Sequence, residues 1–138
     1  MILRRVVRNG ELEKKMTPSL LGYILAIDAL CAEREHVRSV DVAEKLGVAR
    51  ASVCRALDRL SDGGYAVRCE SGEVRLTTRG KEIVGKYLPA CEVVARALVE
   101  KLGLNEGRAE REAVLALGAL SDDTVVRLSR LYQDEKEK

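Results

Sequence analysis

Three arginines, Arg50, Arg55 and Arg59, share the stretch RASVCRALDRLSD with two small residues, Ala51 and Ser52. At helical spacing this mixture suits one chemistry. Small side chains near a helix N-terminus let the backbone approach the major groove of DNA, and the long guanidinium donors reach base edges or phosphates. On this reading Ala51, Ser52 and Arg55 lie nearest base edges, while Arg50 and Arg59 contact phosphates. An ordinary solvated helix face can also hold three arginines, so the weight falls on what flanks the stretch.

The flanking sequence supplies a helix-turn-helix. Residues 39–67 read SVDVAEKLGVARASVCRALDRLSDGGYAV. Ser39 can cap a short helix carrying Val42, Ala43 and Leu46, and Gly47 supplies the left-handed residue that ends it. A second helix runs from about Arg50 to about Asp62, with Val53, Ala56, Leu57 and Leu60 facing inward and Gly63-Gly64 closing it. Two short helices joined by a tight turn form the DNA-reading motif. YAVRCE and EVRL then alternate like strands about Ser71-Gly72, giving a hairpin or wing whose Arg68 and Arg75 can touch the flanking backbone.

A helix precedes this unit. Thr17 or Ser19 caps it, and Pro18 suits its first turn. Leu20, Ile24, Ile27 and Cys31 form a core face, and Leu21, Leu25 and Asp28 a second stripe, so a further element must pack there. After the wing, Thr77-Thr78 caps a helix with apolar Ile83, Val84, Tyr87 and Leu88, which Pro89 breaks or kinks. A run over 90–102 ends at Gly103. Asn105 caps a helix through 119 and Ser121 caps the last, with Asp122 and Asp123 at its positive end. These helices carry more apolar surface than a monomer of this size readily hides, so a homodimer is expected.

The expected fold is therefore mainly α. A basic arm occupies residues 1–16, a winged helix-turn-helix DNA-binding domain residues 17–80, and a helical dimerisation domain residues 81–138. The arm holds Arg4, Arg5, Arg8, Lys14 and Lys15, with a turn signal at Asn9-Gly10. Its plain reading is a loose terminus, or a start upstream of the natural one at Met16. Contact with DNA phosphates or pairing as a strand is the other reading.

Composition excludes several classes. The 138 residues include four Tyr but no Phe or Trp, which argues against stacking on single-stranded nucleic acid. Residues 1–80 hold 14 Lys/Arg against 11 Asp/Glu, and residues 81–138 hold 10 against 11, so the reading half is the basic half. Cys31, Cys54, Cys69 and Cys91 form no CxxC pair, which argues against a zinc ribbon. With no export signal or membrane span visible, free thiols point to the cytoplasm. No nucleophile–base pair, phosphate loop or carboxylate dyad stands out, so an enzyme is not expected.

TPSLLGYILAIDAL, VRSVDVAEKLGVARASVCRALDRLSDGGY and the LTTRG at 76–80, in this order and spacing, resemble the diphtheria-toxin-repressor/manganese-repressor (DtxR/MntR) family. The resemblance runs from about Thr17 to Tyr132. It implies a homodimeric repressor whose winged helix binds a palindromic double-stranded operator. It also implies manganese or ferrous iron bound between the two domains. The chain ends before an SH3-like third domain would begin, so it resembles the short type.

The same resemblance assigns the metal ligands to positions held here by Gly22, Leu25, Cys91, Val114, Leu117 and Gly118, with Glu92 replacing Cys91 if the alignment slips by one. Manganese and iron take oxygen and imidazole donors, and Gly22, Leu25, Val114, Leu117 and Gly118 supply none from their side chains. The only histidine, His36, falls at none of these positions. The stretch AVLALGAL at 113–120 is thus a ligand helix without ligands. No cofactor is expected. Leu21, Leu25, Val114 and Leu117 are expected to form an apolar contact between domains in its place.

Three readings follow. The first is a homodimeric, sequence-specific DNA-binding regulator, a repressor by resemblance, independent of metal at the family position. The second is a metal- or redox-responsive regulator with a relocated site using Cys91, Glu92, Glu110 or Glu112. Cys91 is then a candidate sensor, although a free Cys is more commonly a small buried thiol, and no His or clustered Lys/Arg marks it as activated. Cys54, on the reading helix, is a weaker candidate. The third is a winged-helix module that binds protein and not DNA. Arg50, Arg55 and Arg59 argue against the third.

Overall fold

The computed structural model describes residues 16–137. The basic arm and its two readings lie outside the described residues. Six helices and one hairpin follow: α1 (Pro18–Glu33), α2 (Ser39–Leu46), α3 (Arg50–Asp62), β1 (Ala66–Arg68), β2 (Val74–Leu76), α4 (Thr78–Leu102), α5 (Glu106–Ala119) and α6 (Asp122–Lys136).

Most helix starts follow their caps. The side chains of Thr17, Thr77, Asn105 and Ser121 accept from the backbone N–H of Leu20, Gly80, Arg108 and Thr124, satisfying donors that a helix cannot pair internally. The start of α2 differs from expectation. Its cap is Arg38, and the Asp41 carboxylate accepts from the Arg38 N–H at 2.9 Å, so the cap comes from inside the helix and not from Ser39. Gly47, at φ 65°, ends α2 in the left-handed conformation.

The wing is antiparallel, with Ala66 opposite Leu76 and Arg68 opposite Val74. Gly72, at φ 88°, makes its turn. The loop before α2 joins it: Val74 N–H donates to Val37 O at 2.7 Å, and Arg38 bridges Glu73. This third short pairing was not expected from the sequence.

α1 is the central element. Leu21, Ile24 and Ile27 are fully buried, and α1 packs against α2, β2, α4 and α5. Two apolar stripes on one helix are thus explained by two neighbours, the reading unit on one side and α5 on the other. Two inward assignments fail at the ends of their helices. Cys31 is exposed near the C-terminus of α1, and Leu46 is 37% exposed at the last turn of α2.

Pro89 does not end its helix: α4 is continuous for 25 residues. Proline removes one bond to the residue four back. Here that residue is Gly85, which is exposed, so water can take its free carbonyl. The buried side chains of Val84, Tyr87, Ala90 and Cys91 carry packing across the site. The expected boundary between residues 80 and 81 falls within the first turn of α4.

Candidate nucleic-acid interface

α3 presents the face that its sequence promised. Val53, Ala56, Leu57 and Leu60 are buried, and Arg50, Ala51, Arg55 and Arg59 are exposed, with Ser52 half-buried. The helix is held by what it buries, and its opposite face is open to a partner. Arg55 reaches Ser52 Oγ at 3.5 Å, a weak tether that leaves its other donors available. Among the described residues Arg50, Arg55, Arg59 and Arg68 form no ion pair. Asp58 and Asp62, towards the C-terminal end, offset part of this charge.

Beside α3 runs a groove that the sequence reading missed. Ser19, Leu20 and Tyr23 of α1 and Val48 of the turn line it together with Ser52 and Arg59. The signal was Val48, an apolar residue in the turn that stays 38% exposed.

The wing arginines differ. Arg68 is exposed and without an ion pair, whereas Arg75 is paired with Glu73 at 3.1 Å. Glu73 also lies 2.5 Å from His36 Nδ1. These two partners, His36 first, hold the Glu73 carboxyl below the ordinary carboxylate range. Arg75 is therefore less available to phosphate than Arg68.

The six positions assigned to metal ligands by resemblance gather about the contact of α1 with α5, Cys91 being on α4. A Cβ on Gly22 would stand 3.9 Å from Val114 Cγ1, an ordinary contact. Leu117 is fully buried, and Leu25 and Val114 pack against the same core. A Cβ on Gly118 would lie 2.5 Å from Pro18 Cα and 2.6 Å from Pro18 N. Gly118 is therefore a point of closest backbone approach, where no side chain fits the present packing. Cys91, the one donor in the set, is buried, and burial, helped by the Glu92 charge, pushes its thiol up to about 12. These residues do not fit a manganese or iron ion, which needs several hard donors.

The residues suggested for a relocated site do not converge either. Cys91 is buried, Glu92 and Glu110 are exposed, and Glu112 is paired with Arg108 at 2.7 Å. Among the described residues no three His, Cys, Asp or Glu side chains are grouped to hold a metal. Nor is any helix among them long and apolar enough to cross a membrane.

No protein-family model matches the chain. The HTH-type transcriptional regulator MntR of Lysinibacillus sphaericus is 28% identical over 117 residues, covering 85% of this chain and 84% of that one. Among solved structures, the IdeR of T. acidophilum superposes with a TM-score of 0.64 at 21% identity, over 82% of this chain and 53% of that one. The metal-dependent transcriptional regulator MtsR gives 0.69 at 22% identity, over 86% and 55%. The chain spans about half the length of these two structures.

Proposed function

We propose that the chain is a homodimeric, sequence-specific DNA-binding repressor of the DtxR/MntR family that needs no manganese or iron at the family position. One observation carries the DNA-binding part: the exposed, unpaired arginine face of α3, held by a buried opposite face. Arg55 with Ala51 and Ser52 reads base edges. Arg50, Arg59 and Arg68 hold phosphates, and Arg75 contributes from its pair with Glu73. A two-fold pair of such heads calls for a palindromic operator.

Metal independence rests on the α1–α5 contact. A partly dismantled metal site leaves buried charges without partners, which is costly, whereas a wholly apolar replacement is neutral or stabilising. Leu21, Leu25, Val114 and Leu117, with Gly22 and Gly118 letting the backbones close, take the place of the bridging ion. The dimer is supported by Leu88, Leu102, Leu115 and Leu131, large apolar side chains left exposed on the helical body.

The test is fluorescence anisotropy of the full chain on DNA from its own upstream region. Binding is measured in excess chelator, then with manganese, ferrous iron or zinc. The expected result is the same affinity in each condition. Binding that appears only with metal overturns metal independence and returns attention to Cys91, Glu92 and Glu112. Loss of no affinity on changing Arg50, Arg55 and Arg59 together to Glu would favour a protein-binding module.

A further inference from the structure

We propose that Arg79 is a positioning residue for the reading helix: from the first turn of α4 it grips the C-terminal end of α3 and ties the DNA-reading face to the helical body. The proposal rests on the DNA-binding reading above.

The geometry is convergent. Arg79 Nη1 donates to Gly63 O at 2.9 Å, and Gly63 is the residue that caps α3. Its Nη2 reaches Tyr65 OH at 3.3 Å, and its guanidinium carbon lies 4.6 Å from the centroid of the Tyr65 ring. Thr77 acts in parallel. Its hydroxyl donates to Gly64 O at 2.5 Å and accepts from Gly80 N at 3.1 Å, so one group joins the end of α3 to the start of α4. The Thr77 N–H donates to Tyr65 O at 3.0 Å.

The fit leaves no slack. A Cβ on Gly80 would collide with the Tyr65 carbonyl oxygen, and one on Gly63 would stand 2.7 Å from Tyr65 Cε2. Gly64, at φ 76°, makes the turn that presents both carbonyls. A cation at the negative end of a helix is favourable in itself. Arg79 has no carboxylate partner among the described residues, so its charge is directed wholly at this end. Because α4 continues to Leu102 and packs on α5 and α6, the grip makes α3 a lever set by the body.

The experiment compares the full-length wild type with Arg79→Gln, Arg79→Lys and Thr77→Val. Each is titrated on the upstream DNA and on a scrambled duplex across a salt series, with thermal melting alongside. The expected result for Arg79→Gln is about tenfold weaker specific binding, the scale of one charge-assisted hydrogen bond. Scrambled-duplex binding and the salt slope stay unchanged. Arg79→Lys recovers part of the loss, and Thr77→Val shows the same selective loss without any change of charge. Equal weakening on both duplexes, with a slope reduced by about 0.9, means that Arg79 is a phosphate contact and overturns the proposal. Losses on both duplexes that follow the unfolded fraction mean a merely structural role and also overturn it. Unchanged binding removes the proposal alone, whereas a wild type that binds neither duplex removes the DNA reading beneath it.

Discussion

Gly118 meets Pro18 so closely that a Cβ at position 118 would stand 2.5 Å from the Pro18 Cα. The contact joins the start of the first helix to the last turn of α5. Backbone cannot step aside as the tip of a side chain can. Gly118→Ala is therefore expected to destabilise by about 1–3 kcal/mol, the usual cost of overpacking. Urea denaturation measures it, and an unchanged midpoint would show that α1 and α5 are free to separate.

Two leucines on α5, two residues apart, should behave oppositely. Leu117 is fully buried and Leu115 is 58% exposed. Leu117→Ala is expected to cost about 2–5 kcal/mol. Leu115→Glu and Leu102→Glu should leave the melting temperature nearly unchanged and weaken self-association. Sedimentation velocity reads the second effect, and undiminished dimer in both variants would move the interface elsewhere.

Arginines of one face should separate by salt. Arg55→Ala is expected to cost about 1–3 kcal/mol of discrimination between operator and scrambled DNA. Arg59→Ala should weaken both and lower the slope of affinity against salt by about 0.9. If the two variants have the same slope and the same selectivity, the division of roles on α3 is wrong.

At the wing, acid should loosen what Glu73 holds. Its folded carboxyl titrates below the ordinary range because of His36 and then Arg75. The contribution to stability is thus complete above the ordinary carboxylate pKa, near 4.3. It is lost as pH falls through the lower, folded value. Glu73→Gln is expected to remove this acid-side dependence, followed by NMR shifts of Val74 and Arg75 between about pH 5 and pH 2. A wild-type wing indifferent to that range would refute the pairing.

Alkylation at neutral pH should distinguish the cysteines. Cys91 is buried with its thiol pushed up to about 12, so it stays protonated and shielded. Cys31 is exposed, although burial of part of its thiol, and then Asp28, raises its pKa too. Mass spectrometry after a short iodoacetamide pulse should find Cys31 labelled and Cys91 unlabelled until the protein is denatured. Rapid labelling of Cys91 in the native protein would revive it as a sensor.

Much of this was readable from local chemistry. Thr17, Asn105 and Ser121 mark helix starts because their side chains satisfy donors within three residues, and Gly47 marks an end because it tolerates positive φ. The face of α3 was legible because its buried and exposed residues repeat at the helical period. What was not legible depends on distant partners. Cys31 has the spacing of a core residue, yet it is exposed near the end of α1, with its thiol at the edge of β2 beside the Val74 carbonyl, 3.9 Å away. Pro89 looks like a breaker until Gly85 is seen to face water. Thr77 is an ordinary cap and Arg79 an ordinary first-turn residue in sequence, and only the fold brings them to the carbonyls of Gly64 and Gly63. Gly118 gives no sign that it needs to be glycine until Pro18 arrives beside it.

The direct passage from β2 into the first turn of α4 has a consequence for the proposed DNA complex. With the DNA-binding unit at residues 17–80 as proposed, no linker separates it from the helical body, because α4 begins at Thr78, directly after β2 ends at Leu76. In the proposed dimer the two DNA-binding units would then keep a set distance and a set angle. One base pair added at the centre of an operator shifts its halves by about 3.4 Å and swings one round the axis relative to the other. Such a dimer would behave as a gauge with fixed jaws, fitting DNA of one length between half-sites and passing over the next.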